Sequence, residues 1–306
     1  MSAWLYDTVG LKHYWRKLPN ENFKNHWIKL QKNFPTWIYN HKGKETLPNL
    51  TIFQTPDGFY HSELKVSLPK MLYGHNARLP DQTEADEGLR FACEFAEEIS
   101  GLPFSLETAI VFLVHYAYDA KMLESAVWRM IAELSKRKLP PLRKQFFDDE
   151  TIYFSPKGKI RTKQLRIYSK LNEMLKKGTL TPEAFKYAEG ILRFEFALLE
   201  MSAIKALAER LGFPEITAKY FLTEGVSRFV LNEVLEKLNF YELLDNSETD
   251  LDVLRKHFPT KKAMLLRGFR QMQDEHGDQF YKDERHGISK DVFYAMQRDC
   301  RKAKVR

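Results

Sequence analysis

The run AIVFLVHYAY at residues 109–118 constrains this chain more than any other stretch. It is built from β-branched and aromatic residues and carries no formal charge. It is also far shorter than the ~20 residues that cross a bilayer, so it reads as a strand buried inside a sheet. The neighbouring segments supply partners for it. TIFQTPDGFYHSELKVSL, within 48–68, shows two partly alternating runs separated by Pro56-Asp57-Gly58, the pattern of a hairpin. TIYFSP and KQLRIYSK flank Gly158 and form a second hairpin, and GILRFEFALLE begins as a strand with Leu192, Phe194 and Phe196 alternating with Arg193 and Glu195.

Helical patterns lie between these strands. In 84–100 the residues Leu89, Phe91, Cys93, Phe95, Ala96 and Ile99 recur at roughly helical spacing before Gly101-Leu102-Pro103. Further helices are expected over 121–138, over 181–189 with Pro182 in the first turn, and over MSAIKALAERLG. Everything beyond 216 reads as helix. The order β-β-α-β-α-β-β-α-β-α lacks strict βαβ alternation. The expected fold is therefore α+β: a mostly antiparallel sheet with helices on one face, then a helical C-terminal region. The division expected is a catalytic domain at 1–215 and a helical DNA-binding or lid region at 216–306.

Several function classes drop out. There is no GxxxxGK[ST] and no GxGxxG, which argues against an ATPase. Cys93 and Cys300 lie far apart without metal-type spacing, and the N-terminus lacks the apolar core of a signal peptide. A protein of the reducing cytoplasm, with no membrane partner, is expected.

The net charge of +7 is unevenly placed, and residues 151–180 alone carry an excess of +7. A basic stripe attracts polyanions, nucleic acid most often. A solvated lysine-rich hairpin accounts for the same charge. Within the stripe, KGKIRTKQLRIYSKLNEM holds one tyrosine, Tyr168. A free phenol has a pKa of about 10, so attack on phosphorus needs cations or a base nearby. Arg166 and Lys170 share its face at strand spacing. Four polar residues sit on other expected strands: Glu63, His115, Asp119 and Glu195. Each alone could simply face water. Together they could gather near Tyr168 as ligands for a hard divalent cation, Mg²⁺ or Mn²⁺. Such a cation would neutralise the scissile phosphate. A phosphotyrosyl ester would conserve the phosphodiester and allow rejoining without ATP.

At these residues the sequence resembles a known group. TIYFSPKGKIRTKQLRIYSKLNE is similar to the tyrosine signature of rolling-circle replication initiators. ELKVSLPKMLYGHN at 63–76 and LRFEFALLEMSAIKALAERLGFP at 192–214 resemble stretches of the filamentous-phage gene II/X replication initiator family, in the same order. The resemblance implies that Tyr168 is the nucleophile, Lys170 the accompanying lysine and Glu173 the following acid. It sets Glu195 on an acidic active-site position of related plasmid initiators. VHYAYD falls where those proteins carry R-[LI]-D-x-x-x-D. Asp119 matches the second acid, while His115 stands in place of an expected aspartate and Leu113 in place of the arginine.

The resemblance further implies an enzyme that nicks one strand at an origin, stays on the 5′ end and later rejoins the strand. Its partners would be origin DNA, a host helicase and a host polymerase in the cytoplasm of a bacterial host, and a homodimer is compatible with this. Plasmid mobilisation or transposition by the same chemistry, or DNA binding without catalysis, are the alternatives. The DNA-contact candidates are Lys157, Lys159, Arg161, Lys163, His75 and Asn76, with a turn or capping role equally open for the last two. In the C-terminal stretch, GDQFYKDERHGISKDVFYAMQRDCRKAKVR has the cadence of a helix-turn-helix. His286-Gly287 would end one helix and Ser289 would cap the next, with Val292, Phe293 and Met296 as its apolar stripe. Lys290, Arg298, Arg301 and Lys302 would face DNA, or merely solvate a lid.

Overall fold

The computed structural model of the chain describes residues 3–15, 28–29, 37–41, 46–54, 59–147, 151–157, 161–245, 258–259, 262, 265–266, 269 and 290–302. They fall into two compact units, Met1–Leu238 and Asn239–Arg306.

The first unit is built on one sheet. In chain order its strands are β1 (Ala3–Trp15), β2 (Ile28–Lys29), β3 (Trp37–His41), β4 (Asn49–Gln54), β5 (Tyr60–Ser67), β6 (Ile110–Lys121), β7 (Arg143–Phe147), β8 (Thr151–Ser155), β9 (Lys163–Ser169) and β10 (Ile191–Leu198). They pair in the order β2-β3-β4-β5-β1-β6-β10-β9-β8-β7, every pair antiparallel. The expected hairpins are present as β4–β5 and β8–β9. Their turn residues Pro56-Asp57-Gly58 and Gly158 lie outside the described residues. The 109–118 run is β6, flanked by β1 and β10. The N-terminal stretch is the longest of the described strands, and β7 is a further strand that the sequence did not disclose.

The helices of this unit are α1 (Leu68–Tyr73), α2 (Gln82–Ser100), α3 (Glu124–Lys136), α4 (Lys170–Lys177), α5 (Pro182–Ala188), α6 (Met201–Leu211), α7 (Ala218–Phe221) and α8 (Glu224–Lys237). Because α7 and α8 belong to Met1–Leu238, this unit runs past residue 215. In α2 the Asp81 side chain accepts from the Glu84 N–H while Glu84 reaches back, a capping box that fixes the start of the helix. Its buried stripe is Ala85, Gly88, Leu89, Ala92, Cys93 and Ala96, whereas Phe91 is exposed. The helical period, followed strictly, turns position 91 away from the stripe that 89, 92 and 96 define.

One face of the sheet is covered. Val114, Tyr116, Tyr118 and Ala120 of β6 point into it and are buried. The Tyr6 and Tyr116 hydroxyls donate to the carbonyls of Leu222 and Phe221 at 3.2 Å each, and Ser227 Oγ donates to the Leu5 carbonyl at 2.9 Å. These bonds tie α7 and α8 to the central strands. Under α3, the buried Ile152, Phe154, Leu165 and Ile167 continue the same layer. The opposite face carries His115, Ala117 and Asp119 from β6, and Arg193 and Glu195 lie across from Asp119 and Ala117 on β10. Side chains alternate along a strand, so a segment that buries apolar groups on one face presents its polar ones on the other.

In the second unit the described helices are α9 (Phe240–Asp245) and α10 (Lys290–Lys302). Phe293 and Cys300 are buried, Phe293 against Phe269 at 5.2 Å between ring centroids, and Met296 is half-buried. Val292, expected on the apolar stripe, is exposed. His286, Gly287 and Ser289 of the expected helix-turn-helix lie outside the described residues.

Candidate active site

Tyr168 is the penultimate residue of β9 and is almost wholly buried, with 5% of its surface exposed. In the register it faces Arg193 of β10, which faces Asp119 of β6. Three cross-strand neighbours on one face thus carry a phenol, a guanidinium and a carboxylate. The Tyr168 hydroxyl donates to Glu195 Oε2 at 3.1 Å. Arg166, two residues before Tyr168, pairs with Glu195 Oε1, and His115 Nδ1 donates to the same oxygen at 2.7 Å. Burial alone would raise the Glu195 pKa. The His115 hydrogen bond and the Arg166 charge outweigh it and hold the carboxyl well below its usual range. Tyr168 moves the other way. Burial and the negative charge of Glu195 raise its pKa well above 10, against the opposing pull of Arg193 and Arg166. In the free protein the pair is a protonated phenol donating to a carboxylate.

Lys170 does not continue the strand. It opens α4, whose N-cap Ser169 accepts from Asn172 N–H. Its ammonium nevertheless lies 5.6 Å from the centre of the Tyr168 ring and 2.8 Å from Glu173 Oε2, and Arg166 stands 5.9 Å from the same ring. Lys170 is fully buried. Burial, then the charge of Arg193, lowers its pKa to about 8, with Glu173 opposing. Its folded pKa lies below the unfolded value, so between about pH 8 and 10.5 the unfolded chain binds a proton that the folded chain does not. Stability therefore rises with pH across that window. At pH 7 the buried ammonium costs about 3 kcal/mol. Lys170→Met should stabilise the protein by about 1–3 kcal/mol at pH 7 and by little near pH 10, while slowing any strand cleavage. Urea unfolding at the two pH values checks this, and a variant less stable at pH 7 than the parent overturns it.

Arg193 is the residue whose importance the sequence concealed. Its side chain is fully buried and forks onto Asp119, Nε to Oδ1 at 2.6 Å and Nη2 to Oδ2 at 2.7 Å. It also donates to the Asn76 carbonyl at 2.9 Å and lies 3.5 Å from Asp7 Oδ2. Asp7 sits at a bulge of β1, between the Tyr6–Tyr116 and Thr8–His115 pairs, and accepts from Thr8 Oγ1 at 2.8 Å. Both residues left a trace. Arg193 alternates with Phe and Leu on the same strand as Glu195, and Asp7 is the one acid in the apolar AWLYDTVGL.

The four expected metal ligands separate into three places. Glu195 joins His115, and Asp119 spends both oxygens on Arg193. Glu63 pairs with Lys12 at 3.0 Å. It sits four residues along β5 from Ser67, the position in register with Thr8 and His115, or about 13 Å of strand. Among the described residues no group of three His, Cys, Asp or Glu side chains converges as a metal site. One donor is left over, because His115 Nε2 is buried without a hydrogen-bond partner. One imidazole nitrogen is too little for a hard cation that takes about six oxygen ligands, so the four do not fit one ion as arranged.

The remaining candidates are spread out. His75 Nδ1 accepts from the Ala77 N–H at 3.2 Å, and its ring lies 5.9 Å from that of Tyr187. Burial lowers its pKa. Asn76 acts through its backbone carbonyl. Lys157 and Arg161 are exposed and Lys163 is half-buried at the start of β9, while Lys159 lies outside the described residues. Arg298 and Lys302 are exposed on α10, which also contains Lys290 and Arg301.

The family of the N-terminal region of the replication-associated protein of phage gene II matches residues 45–210, more than half of the chain. The match spans β4 to most of α6 and includes Tyr168, Arg193 and Glu195. This defines a replication initiator of the rolling-circle class. The chain belongs to the gene II-type initiator family of phage. No curated protein matches it. A solved rolling-circle replication initiator protein from Geobacillus stearothermophilus aligns over 69% of this chain and 79% of its own. The identity is 11% and the TM-score 0.33.

Proposed function

We propose that this initiator nicks one strand of an origin with Tyr168, remains on the 5′ end as a phosphotyrosyl ester, and later rejoins the strand into a circle. The observation that carries the reading is the Tyr168–Glu195–Arg166 contact set on the polar face of the sheet. The phenol oxygen attacks phosphorus, the bond to the 3′-oxygen breaks, and that oxygen leaves as a 3′-hydroxyl after taking a proton from solvent. Attack by a 3′-hydroxyl on the ester reverses the step. Glu195 is in hydrogen-bond reach of the phenol and is the acceptor for its proton. While Arg166 and His115 hold it, its basicity is low. Arg166 is partly exposed, with 30% of its side chain accessible, whereas Arg193 is not. A phosphate arriving at Arg166 therefore competes with Glu195 for the guanidinium. Glu195, relieved of that charge, regains affinity for the Tyr168 proton as the scissile group arrives.

Glu195→Gln keeps the shape and removes the proton acceptor. It should lower cleavage by about 10²–10⁴-fold with oligonucleotide binding retained. Equal cleavage rates in parent and variant would remove Glu195 from this role. The function itself is tested by incubating the full chain with supercoiled origin plasmid in Mg²⁺, in Mn²⁺ and in EDTA. Relaxation with protein attached to the 5′ end is the expected result. Retardation without nicking would make the protein a DNA binder. Cleavage in EDTA equal to that in Mg²⁺ would make the reaction independent of a divalent cation. Origin DNA, a host helicase and a host polymerase are the partners this reading requires.

A further inference from the structure

The polar face continues from His115 along β6, β1 and β5, where Tyr14 and Lys65 are exposed, and what it carries there is unusual for a solvated surface. At the irregularity between the Gly10–Leu113 and Leu11–Val111 pairs, Phe112 is the additional residue of β6. Its ring lies over Gly10, since a Cβ there would come within 2.8 Å of the Phe112 ring. Only glycine lets the ring lie so close to the strand. Two lysines from adjacent strands reach over it, Lys12 Nζ at 5.5 Å and Lys65 Nζ at 5.3 Å from the ring centre. Two residues beyond Lys12, Tyr14 is 58% exposed and lies 5.7 Å from the His61 ring across the pair. His61 in turn stacks on Phe53 at 4.5 Å, with 13° between the ring planes. Burial and the Lys12 charge, against Glu63, lower the His61 pKa, which leaves a neutral ring at pH 7.

Rings lying on a sheet and interleaved with lysines are what a single strand of nucleic acid requires. Each base has a π-face to stack, and each phosphate takes a cation. A duplex keeps its bases stacked inside and would use only the lysines. The track is continuous with the candidate site: Phe112 lies three residues from His115 on β6, about 10 Å, and Tyr14 lies two residues past Lys12 on β1, about 7 Å. Glu63 engages Lys12, so Lys65 is the cation of the track left exposed. We infer that the single strand flanking the nick site lies across this face, its bases stacked on Phe112 and Tyr14 and a phosphate held by Lys65. This rests on the nicking reading for its direction toward Tyr168, but the binding it describes can be measured without cleavage.

The test uses the full chain and a fluorescent single-stranded oligonucleotide carrying the nick site with long flanks on both sides. Phe112→Leu keeps an apolar side chain and removes the π-face. It should weaken binding about tenfold, and Tyr14→Ser should do likewise. Lys65→Gln, an exposed change, should flatten the dependence of log K on log salt by about 0.7, one phosphate contact to a single strand. Shortening the flank that lies on the track should weaken the parent but not Phe112→Leu, which has already lost that contact. Unchanged affinity in Phe112→Leu and Tyr14→Ser, with an unchanged slope in Lys65→Gln, overturns the track while leaving nicking by Tyr168 standing. Conversely, a parent that binds the strand through these residues but never forms a covalent adduct keeps the track and sinks the nicking reading.

Discussion

Tyr168→Phe should abolish strand cleavage, by at least about 10⁴-fold, and leave no covalent protein–DNA adduct. The change removes one oxygen and nothing else. The ring keeps its place among Arg166, Lys170 and Arg193, and Glu195 keeps its bonds from Arg166 and His115. Loss of one hydrogen bond to a well-satisfied carboxylate costs about 1–2 kcal/mol, which leaves the fold in place. Binding of origin DNA should be nearly unchanged, because the hydroxyl is buried against Glu195 in the free protein. The measurement is adduct formation on a labelled oligonucleotide after denaturation, beside equilibrium binding to the same oligonucleotide. Tyr153 is the nearest substitute on this face, since β8 sets it opposite Arg166. Cleavage that survives Tyr168→Phe but disappears when Tyr153→Phe is added would transfer the nucleophile to Tyr153. Cleavage that survives both would end the tyrosine mechanism for this face.

The parts of the site that were legible in the sequence are those whose signal is local. Tyr168, Arg166 and Glu195 sit on strands whose apolar partners alternate cleanly, so which face they share follows from counting by two. The α+β class was legible for the same reason, from runs such as IVFLVHYAY and LRIY bounded by helical patterns. The pairing of distant strands was not. Glu63 lies on the right face of the right sheet, yet β5 meets β1 in a register that sends it to Lys12, about four residues from the level of His115. Register between strands remote in sequence is set by the packing of both, and no count within either strand reveals it. The same limit hid β1. AWLYDTVGLKHYW looks unremarkable beside the β6 run, and its role as the central partner appears only when β5 and β6 are seen on either side of it. Lys170 was misplaced for a different reason. Strand spacing carried through Ser169, but that residue is a helix cap, so the chain turns and the lysine returns to Tyr168 from α4.

Arg193→Met should be the most damaging single substitution for stability, at about 3–5 kcal/mol. The loss comes from what is left behind. Arg193 supplies two hydrogen bonds to Asp119, one to the Asn76 carbonyl and a weaker one to the Ala77 carbonyl at 3.4 Å. Asp119 is buried, and the fork engages both of its oxygens, so removing the guanidinium strands an ionised carboxylate in a low-dielectric interior. Asp7 is better protected, since Thr8 and Ser67 hydroxyls still donate to its other oxygen. The loop around Asn76 loses its tie to the sheet at the same time. Two companion variants separate these losses. Arg193→Lys keeps the charge, but its compact ammonium lacks the planar fork, so an intermediate loss of about 2 kcal/mol is expected. Arg193→Met combined with Asp119→Leu removes both charges, and should recover most of the loss because an apolar pair of similar volume needs no partner. Urea unfolding of the three proteins measures this directly. A loss below about 1 kcal/mol in Arg193→Met, or a double variant no better than the single one, would show that the fork does not carry the central strands. A second readout bears on the site itself. Arg193 is, after burial, the largest cause of the depressed Lys170 pKa. Arg193→Met should therefore move the Lys170 titration upward from about 8 toward the ordinary lysine value, and shift any basic limb of the cleavage pH profile with it. A basic limb that stays where it was would separate Lys170 from the chemistry, while the stability result would still stand as evidence for the fork.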